Sequence, residues 1–367
     1  MKNAILIVCV VLGLGSVAMA VDIETVPVGN SGNVGELSGE GSGRDRICGA
    51  VDYAYRIGKY EVTAGQYCEF LNAVDSTGTN AYNLYNPEMN SSVWGCQITR
   101  NSGSSTYDFS GGTVEAPGST AADWQDRPVN YVSWYDAAMY ANWATSGNIH
   151  QGVYDTSASG WGNAGANNYT GITARDSAVM GALVSTYGRV YVIPTEDEWY
   201  KAAYYSGSGS TYYDYPTSSD TAPGYVNNSG NLSGTVNPFS DGVTDPGNYA
   251  TYDGDAGTDG IGSPYYRTIV GEWENSGSPY GTFDQGGGVW EWNEAISNTS
   301  RGLRGAAFNS GDYNMEAAIR GIFSPTNEHY TRGFRVAEVP EPATLTLLTL
   351  GGLAILRRRR SCLVRAK

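Results

Sequence analysis

The chain has 367 residues, with 22 lysines and arginines against 37 aspartates and glutamates, for a net charge of −15. Only 16% of residues are charged and the body holds no basic cluster, which excludes a nucleic-acid partner, since phosphate binding needs lysine and arginine patches. Glycine is abundant at 49 residues, yet 28 tyrosines and 9 tryptophans exclude a disordered chain and point to a folded, loop-rich domain with a sizeable core.

Residues 1–20 read as a secretory signal: Lys2 supplies the positive start, Ala4–Gly15 is apolar, and Ala18-Met19-Ala20 fits the small-x-small cleavage pattern. The mature chain is expected to begin near Val21. A glycine- and serine-rich lead-in over 21–50 precedes one domain over 51–338. Cys48, Cys68 and Cys96 fall outside the signal and the tail. Their odd number permits one disulfide with a free thiol, or three unpaired thiols.

A strand over Tyr55–Val62 leads into the first of three capped helices. Thr63 with Gln66, Ser133 with Asp136, and Thr195 with Glu198 each set a hydroxyl three residues ahead of an acceptor, the spacing of a capping box. Behind the caps, Tyr67, Phe70, Leu71 and Val74, then Trp134, Ala137, Ala138 and Ala141, then Trp199, Ala202 and Ala203 form one-sided apolar faces. A second strand over Arg189–Ile193 leads to the third helix. Segments 76–125, 150–185 and 205–265 read as long loops.

At the far end stand Pro340-Glu341-Pro342, the apolar run Leu345–Leu356, and Arg357–Arg360. The prolines fix an extended stretch; the apolar run is shorter than the roughly 20 residues of a stable spanning helix, and the arginines put the last residues, 361–367, in the cytoplasm. This order over 339–360 resembles the PEP-CTERM sorting signal. The resemblance implies export, membrane contact through the C-terminal segment, an exosortase-type processing enzyme as partner, and display at the envelope, often beside exopolysaccharide.

Within the body, Gly58–Thr63, Arg127–Trp134 with Asp136-Ala137, Ile193–Trp199 with Ala202-Ala203, Tyr280–Asp284 through Val289–Trp292, Arg304-Gly305 with Phe308, and Gly333–Val336 follow one another in a familiar order. Together they resemble the formylglycine-generating-enzyme (sulfatase-modifying factor) family. The resemblance implies an α+β fold, a variant of the C-type-lectin-like fold that is loop-rich with few short helices and strands. It also implies bound calcium.

The family's copper-binding cysteines follow its "R-G-G-S-F" strand. Counted from Arg304 they fall on Ser310 and Met315, and the motif serine falls on Ala307. Soft thiolates suit Cu(I), so these replacements imply no copper and no cysteine oxidation. Relatives that form sulfoxides need three histidines on iron, whereas the chain has only His150 and His329. Iron and a Ser–His–Asp hydrolase are both disfavoured.

Structural calcium is the expected cofactor. Asn248 matches a family ligand, and Asp253 and Asp255 offer hard oxygens in a glycine-rich loop. Glu291 matches a ligand of a second family site in which Gly288 replaces the asparagine; its other reading is a buried charge paired with Arg304 or Arg335. The expected ligand pocket holds Trp292, Arg304 and Ser310. The expected function is a non-catalytic binding or structural protein of the envelope or exopolysaccharide matrix, with a divergent oxygen-dependent metalloenzyme as the rival.

Overall fold

Thr63, Ser133 and Thr195 each cap a helix through the anticipated reciprocal bonds. Their hydroxyls accept from the amides of Gln66, Asp136 and Glu198 at 3.2, 3.1 and 3.1 Å, and the three side chains return to the cap amides at 3.0, 2.8 and 2.9 Å. The shorter Asp136 therefore closes its box as well as the longer residues do. The computed structural model describes residues 21–39, 46–101, 104, 106–110, 124–156, 177–225, 245–254, 260–263 and 265–338. The signal segment, Asp255, and the sorting residues Pro340, Glu341 and Pro342 lie outside them.

The helices in this part are α1 (Ala64–Val74), α2 (Glu88–Ser91), α3 (Trp134–Ser146), α4 (Ser177–Tyr187) and α5 (Glu196–Tyr204). The strands are β1 (Thr25–Val28), β2 (Glu36–Ser38), β3 (Arg46–Cys48), β4 (Tyr55–Gly58), β5 (Thr99–Asn101), β6 (Thr106–Asp108), β7 (Tyr191–Val192), β8 (Trp290–Ser297), β9 (Ser300–Arg304), β10 (Gly321–Phe323), β11 (Arg332–Gly333) and β12 (Ala337–Glu338). This is the loop-rich α+β architecture expected.

One sheet runs β1-β4-β12-β7, all antiparallel, so β12 from the end of the domain lies between two earlier strands. The other runs β10-β9-β8-β11, with β8 and β11 parallel. Helix α3 is buried on nearly every side, which is why its sequence is rich in alanine. Gly147 ends it in the left-handed conformation at φ 78°. Phe70 of α1, Tyr140 of α3 and Phe334 meet edge to face, with Phe70–Tyr140 centroids 5.4 Å apart.

Both predicted strands are shorter than their apolar runs. β4 stops at Gly58, and the chain turns so that Val62 can donate to Phe334 O at 2.9 Å. Cys48, Cys68 and Cys96 are all free and buried, which decides between the two thiol arrangements. No helix among the described residues is long and apolar enough to cross a membrane.

Candidate functional site

The expected pocket of Trp292, Arg304 and Ser310 does not assemble. β8 and β9 pair Glu291 with Arg304 and Trp292 with Leu303, so Trp292 and Arg304 project from opposite faces of the sheet. Trp292 is fully buried in the main core and donates Nε1–H to Val132 O at 3.0 Å. Arg304 is fully buried on the other face, against Glu196 at 2.8 Å and the carbonyls of Ala317 and Ile319. Burial alone would raise the Glu196 pKa, but Arg304, Arg46 and Arg320 outweigh it and hold the carboxyl below its usual value. Ser310 is half-buried and accepts the Ala307 amide at 3.2 Å, while Met315 is fully buried beside Ala306 and Tyr215.

Nor do the described members of the expected calcium set come together. Asn248 accepts from Thr217 Oγ1 at 2.6 Å and donates to Thr221 O at 3.1 Å, so its amide holds a turn. Asp253 lines a different feature, described below. Glu291 is fully buried and takes Arg335 in a fork, Nε to Oε2 at 2.6 Å and Nη2 to Oε1 at 2.7 Å, with Trp199 Nε1 also on Oε2 at 2.8 Å. The ion-pair reading of Glu291 is therefore the arrangement found, with Arg335 as partner.

Glu61 lies close by, also fully buried, with neither carboxylate oxygen hydrogen-bonded. Arg335 Nη2 stands 4.0 Å from its Oε2. Burial first, then the like charges of Asp284 and Glu291, push the Glu61 pKa well up, and burial pushes Asp284 to about 6. Three carboxylates crowd around the Arg335 guanidinium here, which disfavours the charged form of Glu61. His150 and His329 bond through Nδ1 to different threonines, Thr156 and Thr331. Among the described residues no three His, Cys, Asp or Glu side chains converge on a metal position. Burial raises the pKa of all three thiols, Cys68 to about 12, which keeps them from the thiolate form that reacts or binds soft metals.

The feature beside Ser310 is an aromatic cleft of about 400 Å³ lined by Trp94, Tyr266, Phe308 and Tyr330, with Asp253, Ser263 and Asn309 among its polar members. Trp94 and Tyr330 stack at 4.8 Å and 29°; Phe308 lies 5.6 Å from Tyr266 and 6.0 Å from Tyr330. Each ring is held from behind. Gly95 lets the Trp94 loop press onto α2, since a Cβ there would stand 2.3 Å from Met89 O. Gly305, at φ 95°, turns the chain from β9 toward Phe308 where a Cβ would meet Gln285 O at 2.4 Å. Buried Asn130 donates Nδ2–H to Trp94 O and to Tyr330 O, both at 2.7 Å.

Arg267, fully buried, also donates to Trp94 O at 2.8 Å, and its guanidinium lies 5.6 Å from the Phe308 ring centre. Burial lowers its pKa to about 10. The cleft reaches Ser310 through its neighbour Asn309 and through the Asp253 amide, which donates to Ser310 O at 3.0 Å. Sequence reasoning missed Trp94, Tyr266 and Tyr330, because each lies in a segment without periodicity. The signal available was an aromatic flanked by turn formers, as in Ser91-Ser92-Val93-Trp94-Gly95.

A family profile described as "Sulfatase-modifying factor enzyme 1-like domain" matches residues 47–339. A second, the "PEP-CTERM protein-sorting motif", matches residues 338–360 and marks the chain for export and a place in the cell envelope; such signals are processed by an exosortase. Among solved structures, Treponema denticola variable protein 1 is similar, with 20% identity, a TM-score of 0.47, and 87% of this chain and 96% of that chain covered. CarF is similar at 18% identity and a TM-score of 0.47, covering 87% and 99%. PvdO from Pseudomonas aeruginosa follows at 14% identity and a TM-score of 0.40, covering 87% and 92%. No curated protein matches the chain in sequence.

Proposed function

The chain belongs to the sulfatase-modifying factor enzyme 1-like family, and from that premise we propose that it is a non-catalytic, saccharide-binding protein of the cell envelope. The observation that carries this reading is the cleft of four aromatic side chains rimmed by Asp253 and Asn309. A pyranose presents an apolar C–H face and a hydroxyl edge. Aromatic rings with electron-rich faces suit the first, and a carboxylate and an amide suit the second. The loops that form the cleft are rich in tyrosine, asparagine and serine, a composition adapted to polar contacts.

Loss of the family's oxidative chemistry is the second half of the proposal. Ser310 and Met315 stand at the positions where the family resemblance puts copper-binding cysteines, and the sequence has no cysteine between Cys96 and Cys362. The Ser310 hydroxyl is a hard ligand that does not replace a thiolate on Cu(I), and Met315, though a soft thioether, is fully buried. Envelope placement gives a natural ligand class in exopolysaccharide.

The test is a glycan array followed by titration of the best soluble glycan against tryptophan fluorescence, for the parent and for Trp94→Ala. Saturable binding that weakens in the variant supports the proposal. Failure of every glycan to bind, or equal binding by the variant, refutes it.

A further inference from the structure

The segment that gives Tyr330 to the aromatic cleft gives Glu328 to another cavity, of about 530 Å³. Tyr82 and Asn83, from the segment between α1 and α2, line it with Asp136 at the start of α3 and with His150 and Thr156 beyond its end. No lysine or arginine among the described residues lines it.

Both carboxylates offer a free oxygen there. Asp136 is only 6% exposed; its Oδ2 accepts the Ser133 amide at 2.8 Å, and its Oδ1 has no hydrogen bond. Glu328 Oε2 accepts from Asn86 Nδ2, and its Oε1 is likewise free. Burial, then the charge of Glu328, raises the Asp136 pKa well above the usual range, and burial raises that of Glu328. The buried Asp136 carboxyl and the half-buried Glu328 carboxyl disfavour each other's charged form, and a cation that enters between them favours it.

The neighbouring groups select what that cation is. Thr156 Oγ1 donates to Ile149 O at 2.8 Å, so it must accept the 2.7 Å bond from His150 Nδ1. In the neutral ring this leaves Nε2 as an acceptor. The Tyr82 ring, 46% exposed, stands edge to face with His150 at 5.6 Å and walls the opening. No three His, Cys, Asp or Glu side chains among the described residues converge on a metal position.

We propose that this cavity binds a protonated amino sugar, with its ammonium group between Asp136 Oδ1 and Glu328 Oε1 and its hydroxyls on Asn83 and on His150 Nε2. The ammonium arrives charged and the carboxyl pair releases its proton to the buffer. The site is independent of the aromatic cleft.

The experiment is calorimetric titration of the protein with glucosamine at neutral pH, in two buffers of different ionisation enthalpy. N-acetylglucosamine, putrescine and calcium chloride serve as comparators. Asp136 closes the α3 capping box and its replacement would disturb folding, so the variant is Glu328→Gln, with Trp94→Ala as the control for the cleft.

We expect glucosamine to bind with proton release, and N-acetylglucosamine, which lacks the charge, to bind about tenfold more weakly or worse. Glu328→Gln should lose about tenfold in glucosamine affinity or more, and Trp94→Ala should lose none. Equal binding of N-acetylglucosamine, an unaffected Glu328→Gln variant, or no glucosamine binding by folded protein would overturn the assignment. Putrescine binding as tightly as glucosamine would remove the sugar from it, and calcium binding abolished by Glu328→Gln would make the cavity a metal site.

Discussion

The Trp94 and Tyr330 rings stack at 4.8 Å although they come from segments far apart in sequence, and their backbone carbonyls receive the same side-chain nitrogen, that of Asn130. The stack is therefore built by the interior and not by chance contact of two loops. Trp94 is itself 39% exposed, so its truncation should leave folding nearly intact. Trp94→Ala should weaken glycan binding by about 2 kcal/mol, roughly thirtyfold, with fluorescence titration as the check.

Asn130→Ala acts one step further back. It takes the Asn130 donor from Tyr330 O and one of two side-chain donors from Trp94 O, which keeps Arg267, a loss of about 1–3 kcal/mol in stability. Urea unfolding should show this loss, and glycan affinity should fall with it although Asn130 does not line the cleft. A stability loss without any change in affinity would mean that the stack holds its geometry unaided.

Arg335→Leu removes the guanidinium that faces Glu61, Asp284 and Glu291 together. Breaking a buried ion pair from one side costs about 3–5 kcal/mol, because the remaining charge is left unpaired in the interior. We expect a loss of this size in urea unfolding, and partial recovery in the double variant with Glu291→Leu, which removes the stranded charge as well.

The three thiols give a direct test of the interior. Burial holds all of them protonated, so native protein should react slowly with an aromatic disulfide reagent at neutral pH. In denaturant, without any reductant, Cys48, Cys68 and Cys96 should all titrate. Fewer than three reactive thiols in the chain cleaved after Ala20 and before the tail would reveal a disulfide.

The parts of the fold legible in the sequence are those fixed by local chemistry. Thr63, Ser133 and Thr195 announce their helices because a capping box is complete within four residues. The family landmarks were legible for a similar reason: each is a short contiguous run. The pocket residues were not. Whether Trp292 faces a ligand or the core depends on which side of β8 is covered, and that is settled by α3 and by Val132, far away in sequence. Glu291 could be read equally as ligand or ion pair until Arg335 was located. Trp94, Tyr266 and Tyr330 carry no periodicity, and only the folded chain brings them together.

Glu61 offers the last prediction, because neither of its buried carboxylate oxygens has a hydrogen-bond donor. Where the family motif has asparagine this chain has Gly288, at φ 62°, and a Cβ there would stand 3.0 Å from Glu61 Oε1. Asparagine tolerates this left-handed backbone, and the carboxylate is the end of a flexible side chain that can yield a few tenths of an ångström. Gly288→Asn should therefore donate a hydrogen bond to an oxygen that now has none.

The pH dependence gives the sign. The folded pKa of Glu61 is raised above its unfolded value of 4.5, so the stability tied to its proton is fully present below that value and is lost as pH rises through the folded pKa. A donor favours the charged form and lowers the folded pKa, so Gly288→Asn loses less. Its advantage should be small at acidic pH and grow to about 1–2 kcal/mol toward neutral pH. Gly288→Ala, with the same strained backbone and no donor, should be destabilised by about 1–2 kcal/mol at every pH. Urea unfolding of the three proteins across this range is the measurement, and a pH-independent difference between Gly288→Asn and the parent would show that Glu61 is not the group the asparagine meets.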